Sequence, residues 1–226
     1  STFLLQGVTG SGKTEIYLRT AAEALLHEKQ VMVLVPEIAL TGQIVERFKA
    51  WFGKRVAVVH SKLSQSERAD VWYKMRTGYA DILIGVRSAV FAPFLDLGLI
   101  IMDEEQEYSY KQEERPSYNA RTISLKRAQM ASIPLLLGSA TPDICTYFHA
   151  LKGRYQHLHL TKRANESDMP DVTIVDMREE LQSGNKSVIS RKLRESLLET
   201  VKRGEQAIVL LNRRGFSTFV MCRDCG

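Results

Sequence analysis

Residues 7 to 14 read Gly-Val-Thr-Gly-Ser-Gly-Lys-Thr, a glycine-rich run that closes on a lysine and a hydroxyl residue. The spacing Gly7-x4-Gly12-Lys13-Thr14 suits phosphate capture. Gly7, Gly10 and Gly12 let the backbone curl closely, so that successive N–H groups face phosphate oxygens at the start of a helix. Lys13 is expected to reach the β- and γ-phosphates of ATP and the Thr14 hydroxyl to ligate Mg²⁺, with Thr9 and Ser11 completing the cradle. The competing reading is a glycine-rich turn with a stray lysine. It gives no reason for the apolar strand before the run or the helical pattern after it.

A second chemical cluster is Leu99-Ile-Ile-Met-Asp-Glu-Glu-Gln106. An apolar strand delivers Asp103 and Glu104 at its C-terminal end, where ligands sit in open parallel sheets. Two adjacent carboxylates divide the labour: Asp103 joins the Mg²⁺ shell, and Glu104 orients and deprotonates an attacking water. Asp-Glu-Glu after a strand is by itself equally a solvated turn; the glycine-rich loop some 90 residues upstream favours the catalytic reading. Gly138-Ser-Ala-Thr-Pro142 ends another apolar run, where small hydroxyl residues either sense a phosphate or simply cap the next helix.

The elements that must position these groups alternate along the chain. Strands are expected at Phe3–Leu5, Val31–Val35, Val56–Val59, Asp81–Ile84, Leu99–Met102 and Leu135–Leu137. Helical spacing is expected over Thr14–His27, Ala39–Phe52, Arg121–Ala131 and Asp143–Ala150, and the capping box Ser64-Gln-Ser-Glu67 opens another helix to about Arg76. Strands alternating with helices imply an α/β fold with a mostly parallel sheet. The polar, proline-containing stretch 161–171 reads as a linker, dividing a first domain at 1–160 from a second region at 172–226. That region carries expected strands at Val172–Val175 and Ala207–Leu211, with a helix over Ser190–Val201 between them.

The formal net charge of +5 is uneven. Residues 1–150 hold 17 basic and 16 acidic side chains, and residues 151–226 hold 14 and 10. A basic excess is compatible with nucleic-acid partners and equally with a solvated Lys/Arg face. The longest apolar run falls well short of a membrane span, so no membrane role is expected. Three cysteines and no leading signal-peptide pattern point to a cytoplasmic protein without a disulfide framework. A monomer is expected.

The order GKT, then DEEQ, then SAT, each after an apolar strand, resembles motifs I, II and III of superfamily 2 helicases and translocases. Adding Pro36-Glu-Ile-Ala-Leu-Thr41, Gly85-Val-Arg-Ser-Ala89, Tyr108-Ser-Tyr-Lys-Gln112, Asn212-Arg-Arg-Gly-Phe216 and Cys222-x2-Cys225-Gly226 narrows the resemblance to one family. It is that of the primosomal, replication-restart DNA helicases of bacteria (the PriA family), and it covers essentially the whole chain. It implies a RecA-like P-loop NTPase domain, followed by the beginning of a second RecA-like lobe that stops at the first cysteine pair of a zinc-binding insertion. The implied activity is ATP-dependent 3′-to-5′ unwinding of forked or single-stranded DNA, alongside other primosome proteins and single-stranded DNA-binding protein.

The same resemblance places Thr41, Arg87 and Ser88 on the DNA track and makes Tyr108, Tyr110 and Lys111 an aromatic loop that couples DNA contact to hydrolysis. Stacking by the tyrosines and a phosphate contact from Lys111 are physically reasonable; surface tyrosines in a charged loop are the alternative. Arg87 is open between a phosphate contact and a structural ion pair. Gln106 stands where the family usually has histidine; it still donates and accepts hydrogen bonds beside the nucleotide but cannot change charge. Cys222 and Cys225 supply half of a tetrahedral Zn²⁺ site, the rest belonging to the full-length protein. The arginine expected to stabilise γ-phosphate charge is not in this sequence, so weak hydrolysis by the chain alone is expected. Other superfamily 2 translocases, a P-loop small-molecule kinase and a pure binding module are the competing readings. The tyrosine segment and the terminal Cys-x2-Cys-Gly speak against another translocase, a kinase gives no reason for the Gly-Ser-Ala-Thr-Pro motif, and Lys13→Ala, to which a pure binding module would be indifferent, separates the third.

Overall fold

The computed structural model describes residues 1–37, 42–163 and 170–210, and the chain divides into two units, Ser1–Ser167 and Asp168–Gly226. In the first unit, the strands are β1 (Thr2–Gly7), β2 (Gln30–Leu34), β3 (Val56–Val59), β4 (Ile82–Gly85), β5 (Leu97–Met102), the two-residue β6 (Lys111–Gln112) and β7 (Tyr118–Asn119), β8 (Leu135–Ser139) and β9 (Gln156–Leu160). Strands β6 and β7 pair antiparallel with each other. The other seven form one sheet in the order β3-β4-β2-β5-β8-β1-β9, with every neighbouring pair parallel.

A parallel sheet needs both faces covered, which explains the near-continuous apolar strands. Alternate side chains serve opposite faces. Leu4, Met32, Leu34, Leu83, Ile100 and Leu137 pack into one core, while Leu5, Val31, Val33, Ile84, Ile101 and Leu136 pack into the other. Helices α1 (Lys13–Leu26) and α2 (Gln43–Phe52) close the second core through Tyr17, Leu18, Ala21, Ile44, Val45 and Phe48. Helices α3 (Gln65–Thr77), α4 (Ala120–Ala131) and α5 (Ile144–Leu151) close the first. Each fully buried aliphatic side chain contributes roughly 1.5–3 kcal/mol. The capping box holds: Ser64 Oγ accepts from the Glu67 N–H at 3.3 Å, and the Ser64 N–H donates to Glu67 Oε2 at 2.8 Å.

β9, which sequence patterning did not reveal, forms the sheet edge beside β1. Its alternation Gln-His-Leu-His-Leu leaves it largely exposed, so hydrogen bonding to β1 rather than burial holds it there. Trp51 and Cys145 are exposed.

The second unit contains α6 (Met177–Gln182), capped by Asp176, and α7 (Arg191–Lys202), whose Ser190 Oγ accepts from the Leu193 N–H at 3.1 Å. The strands expected at 172–175 and 207–211 are not strands among the described residues of this unit, and Ile174 and Ile208 stand exposed. A short apolar run becomes a strand only by joining a ladder, and no described residue of this unit offers one. Residues 212–216 and the pair Cys222 and Cys225 lie outside the described residues, as does Thr41. Among the described residues no helix is long and apolar enough to cross a membrane.

Candidate nucleotide site and the groups around it

β1 ends at Gly7, and the chain turns through a Ser11 N–H to Val8 carbonyl bond of 3.0 Å before α1 begins. Gly10 and Gly12 have φ of 80° and 93°, left-handed values that strain any residue with a side chain. The Gly12 carbonyl then accepts from the Glu15 and Ile16 N–H groups, which launches α1 with its N-terminus facing the loop. Lys13 Nζ donates to the Gly7 carbonyl at 2.8 Å, spanning the base of the loop. Ser11 Oγ is buried with no hydrogen-bond partner, a polar atom to which an incoming phosphate oxygen would offer an acceptor.

A cavity of about 340 Å³ opens here, lined by Thr9 to Thr14, by Gln43, Ile44 and Arg47 of α2, and by Asp103 and Glu104. The geometry thus brings together the two clusters that the sequence separates by 90 residues. They meet because β1 and β5 both flank β8 and end at the same sheet edge.

Asp103 follows β5, where its N–H donates to the Leu34 carbonyl at 2.9 Å. Its carboxylate accepts from the Tyr17 hydroxyl at 2.8 Å, and its carbonyl accepts from the Tyr110 hydroxyl at 2.7 Å. Burial pushes the Asp103 carboxyl above the usual aspartate range, while the Tyr17 hydrogen bond pulls it down, Glu104 raises it, and Lys13 lowers it. Tyr17 and Tyr110 are themselves held well above the ordinary phenol value, first by burial and then by Asp103. Glu104 has φ of 45°, uncommon for a residue with a side chain and typical of backbone strain held at functional sites.

Gln106 does not line the cavity. Its Nε2 donates to Glu104 Oε2 at 2.9 Å, and its Oε1 accepts from Ser139 Oγ at 2.6 Å. Ser139 Oγ in turn accepts from the Thr141 N–H at 2.9 Å. A continuous chain of hydrogen bonds therefore joins the carboxylate of Glu104 to the Ser-Ala-Thr turn. Glu105 points the other way, into the protein, with its side chain fully buried. It accepts from Arg121 Nη1 at 2.6 Å, Thr146 Oγ1 at 2.9 Å and the Asp143 N–H at 2.8 Å. Arg121 also lies 3.2 Å from Asp143.

The candidate nucleic-acid residues divide. Tyr108 is exposed, its ring 5.4 Å from Lys111 Nζ, and both side chains meet Glu113. Tyr110 is buried, so the structure corrects the expectation that it stacks on a base: its ring faces the core and its hydroxyl positions Asp103. Tyrosine spacing in the loop could not separate the two, because burial follows from the turn at Tyr108–Tyr110. Arg87 is neither bare nor ion-paired in this loop; its Nη1 donates to the carbonyls of Ser109 at 3.2 Å and Lys111 at 2.7 Å. Ser88 lies beside it in a second cavity. Sequence reasoning also passed over Tyr17 and Arg121. One signal was legible: a tyrosine four residues after Lys13 sits one helical turn on, on the same face. Nothing in the sequence marked Arg121 as the partner of Glu105.

The fold and the glycine-rich loop are of the P-loop helicase class. The chain belongs to the DEAD/DEAH box helicase family, whose model matches residues 1–147. It is 55% identical to the replication restart protein PriA of Bacillus subtilis, over 99% of this chain and 28% of that protein. It is 44% identical to the PriA of Haemophilus influenzae, over 99% of this chain and 30% of that protein. The chain thus spans less than a third of the length of these relatives. Among solved structures it resembles RecG bound to a three-way DNA junction, with a TM-score of 0.50 and 24% identity over 74% of this chain and 21% of that one. It also resembles the helicase domain of Pyrococcus furiosus Hef, with a TM-score of 0.51 and 18% identity over 90% of this chain and 45% of that one. At these identities the structural likeness is one of fold.

Proposed function

We propose that this chain is the ATP-binding lobe, with the opening of the second lobe, of a replication-restart helicase that hydrolyses ATP to move 3′-to-5′ on forked or single-stranded DNA. The observation that carries this reading is the single cavity in which the Gly7–Thr14 loop faces Asp103 and Glu104. The loop N–H groups and Lys13 bind the phosphates. Glu104, held by Gln106 in a strained backbone position, orients and accepts a proton from the attacking water. Thr14 and Asp103 are the residues that would hold Mg²⁺. Two protein ligands suffice for an ion that takes its other ligands from phosphates and water, and the unpartnered Ser11 hydroxyl fits a phosphate-lined site. Bound there, Mg²⁺ neutralises charge on the β- and γ-phosphates.

Tyr108, Lys111, Arg87 and Ser88 are proposed to meet the DNA backbone and bases, and Thr41 with them; Arg87 does so while bracing the aromatic loop. Zn²⁺ on Cys222 and Cys225, the primosome partners and single-stranded DNA-binding protein, and a cytoplasmic site of action are proposed from the likeness to the PriA relatives.

The test uses the full-length protein: ATP hydrolysis without DNA, with duplex and with forked DNA, together with displacement of strands of defined polarity. Forked DNA should stimulate hydrolysis most, and Lys13→Ala should abolish turnover. Equal rates on all three substrates would remove the fork assignment, and displacement in the 5′-to-3′ sense would reverse the polarity.

A further inference from the structure

The second cavity, about 290 Å³, lies along the same sheet edge but away from the nucleotide loop. Glu37 follows β2, Ser61 follows β3, and Arg87 and Ser88 follow β4, so the cavity sits over the β3-β4-β2 end of the sheet. Four strand positions separate β4 from β1, roughly 19 Å at about 4.8 Å each. An anion here would therefore be distinct from the nucleotide phosphates.

Arg68, on the first turns of α3, lines this cavity. Its Nε is buried without a hydrogen-bond partner, and its guanidinium makes no hydrogen bond or ion pair among the described residues. Taking that one donor from water without an acceptor costs about 1–3 kcal/mol, and the guanidinium keeps its other donors free for a ligand. The one carboxylate lining the cavity does not relieve it: Glu37 accepts from Ser61 Oγ. Arg87 enters the same space having spent only Nη1 on backbone carbonyls. Two guanidinium groups and the hydroxyl of Ser88 thus converge on a polar cavity, with one carboxylate already engaged. This donor set matches a phosphate held by forked N–H groups.

We propose that Arg68 seats one backbone phosphate of a single nucleic-acid strand, with Arg87 and Ser88 on its other side. The inference rests on the DNA-motor reading above and adds to it a specific anchor on α3, outside every motif that the sequence marks. The seat reads no base and contributes equally to every sequence.

The experiment compares full-length wild type, Arg68→Gln and Arg68→Lys in binding a fluorescent oligothymidylate over a range of salt. Arg68→Gln should bind about tenfold more weakly at moderate salt, and its slope of log K against log salt should fall by about 0.7, the value for one phosphate on a single strand. Arg68→Lys should keep most of that slope and lose part of the affinity. Oligonucleotides carrying one neutral methylphosphonate linkage, scanned along the strand, should weaken the wild type at one position and leave Arg68→Gln unaffected there. Nucleotide affinity should be unchanged, and should Arg68→Gln melt early, Arg68→Met, which keeps the aliphatic stem and removes the charge, takes its place in the comparison. Unchanged slope and affinity in Arg68→Gln, while the wild type binds DNA, overturns the seat alone. Saturation by millimolar inorganic phosphate at constant ionic strength, with no methylphosphonate effect, assigns the cavity to a free anion and also overturns it. A wild type that does not bind the oligonucleotide sinks the DNA-motor reading itself.

Discussion

The Tyr17 hydroxyl donates to Asp103 Oδ1 at 2.8 Å, across 86 positions of sequence, from the second turn of the helix that the phosphate loop launches. The loop and the carboxylate beyond β5 are therefore mechanically one unit. Tyr17→Phe keeps the buried ring and removes only the donor. It should cost about 1 kcal/mol of stability. The affinity for nucleotide in the presence of Mg²⁺ should fall several-fold, while Mg²⁺-free nucleotide binding stays the same. Titrations of a fluorescent nucleotide with and without Mg²⁺ decide this; equal losses in both would assign Tyr17 to packing alone.

Gly138 is the neighbour that makes room for this contact. A Cβ at that position would overlap the Tyr17 hydroxyl. Gly138→Ala should therefore destabilise the protein by about 1–3 kcal/mol through overpacking. Combined with Tyr17→Phe it should cost less than the sum of the two single changes. Urea midpoints of the four proteins test the non-additivity.

Glu105 and Arg121 form a buried ion pair, at 2.6 Å. Removing one partner leaves the other charge without compensation, so Glu105→Ala should cost roughly 3–5 kcal/mol. Glu105→Gln, which still accepts from Thr146 and the Asp143 N–H, should cost less. The comparison is read from equilibrium unfolding, and a loss under about 1 kcal/mol for Glu105→Ala would contradict the buried-pair account.

Gln106 links Glu104 to Ser139 through one side-chain amide. Gln106→Ala should leave nucleotide affinity within about twofold and reduce DNA-stimulated turnover by on the order of tenfold or more, because Glu104, the proposed base, loses its orienting donor. Histidine, which offers one donor and one acceptor when neutral, should restore part of the rate and add a pH dependence that glutamine lacks. Steady-state hydrolysis with saturating DNA across pH 6–8.5 measures both effects.

Asp143 has its carboxyl held below the usual aspartate range. Burial raises it, but Arg121 and the N–H groups of Cys145 and Thr146 together outweigh burial. A depressed folded-state value means that the contribution to stability is complete above the unfolded value, about 3.9, and is lost as pH falls through the folded one. The stability difference between wild type and Asp143→Asn should therefore be full at pH 7 and shrink below about pH 4. A difference independent of pH would remove the ionic part of this argument.

The alternation of apolar runs with helical patterns made the parallel sheet legible, because strands buried on both faces must be apolar along their whole length. β9 escaped because an exposed edge strand carries no such signature. The expected strands of the second unit are the converse case: their composition suits a ladder that the described residues do not supply.

Residues 7 to 14 were legible unaided as a tight glycine turn opening a helix, since glycines at fixed spacing set that local backbone geometry, and the proposed phosphate cradle rests on it. Asp103 and Glu104 were likewise legible at the end of an apolar strand. Local sequence sufficed there because both features depend on residues adjacent in the chain. Only the tertiary structure decided that Tyr110 is an internal brace while Tyr108 faces outward, that Gln106 spans two motifs, and that Glu105 belongs to a buried network rather than to the cavity. Each of these outcomes depends on partners 7 to 41 positions away, and most of those distances in space are set by strand order, which no local pattern encodes.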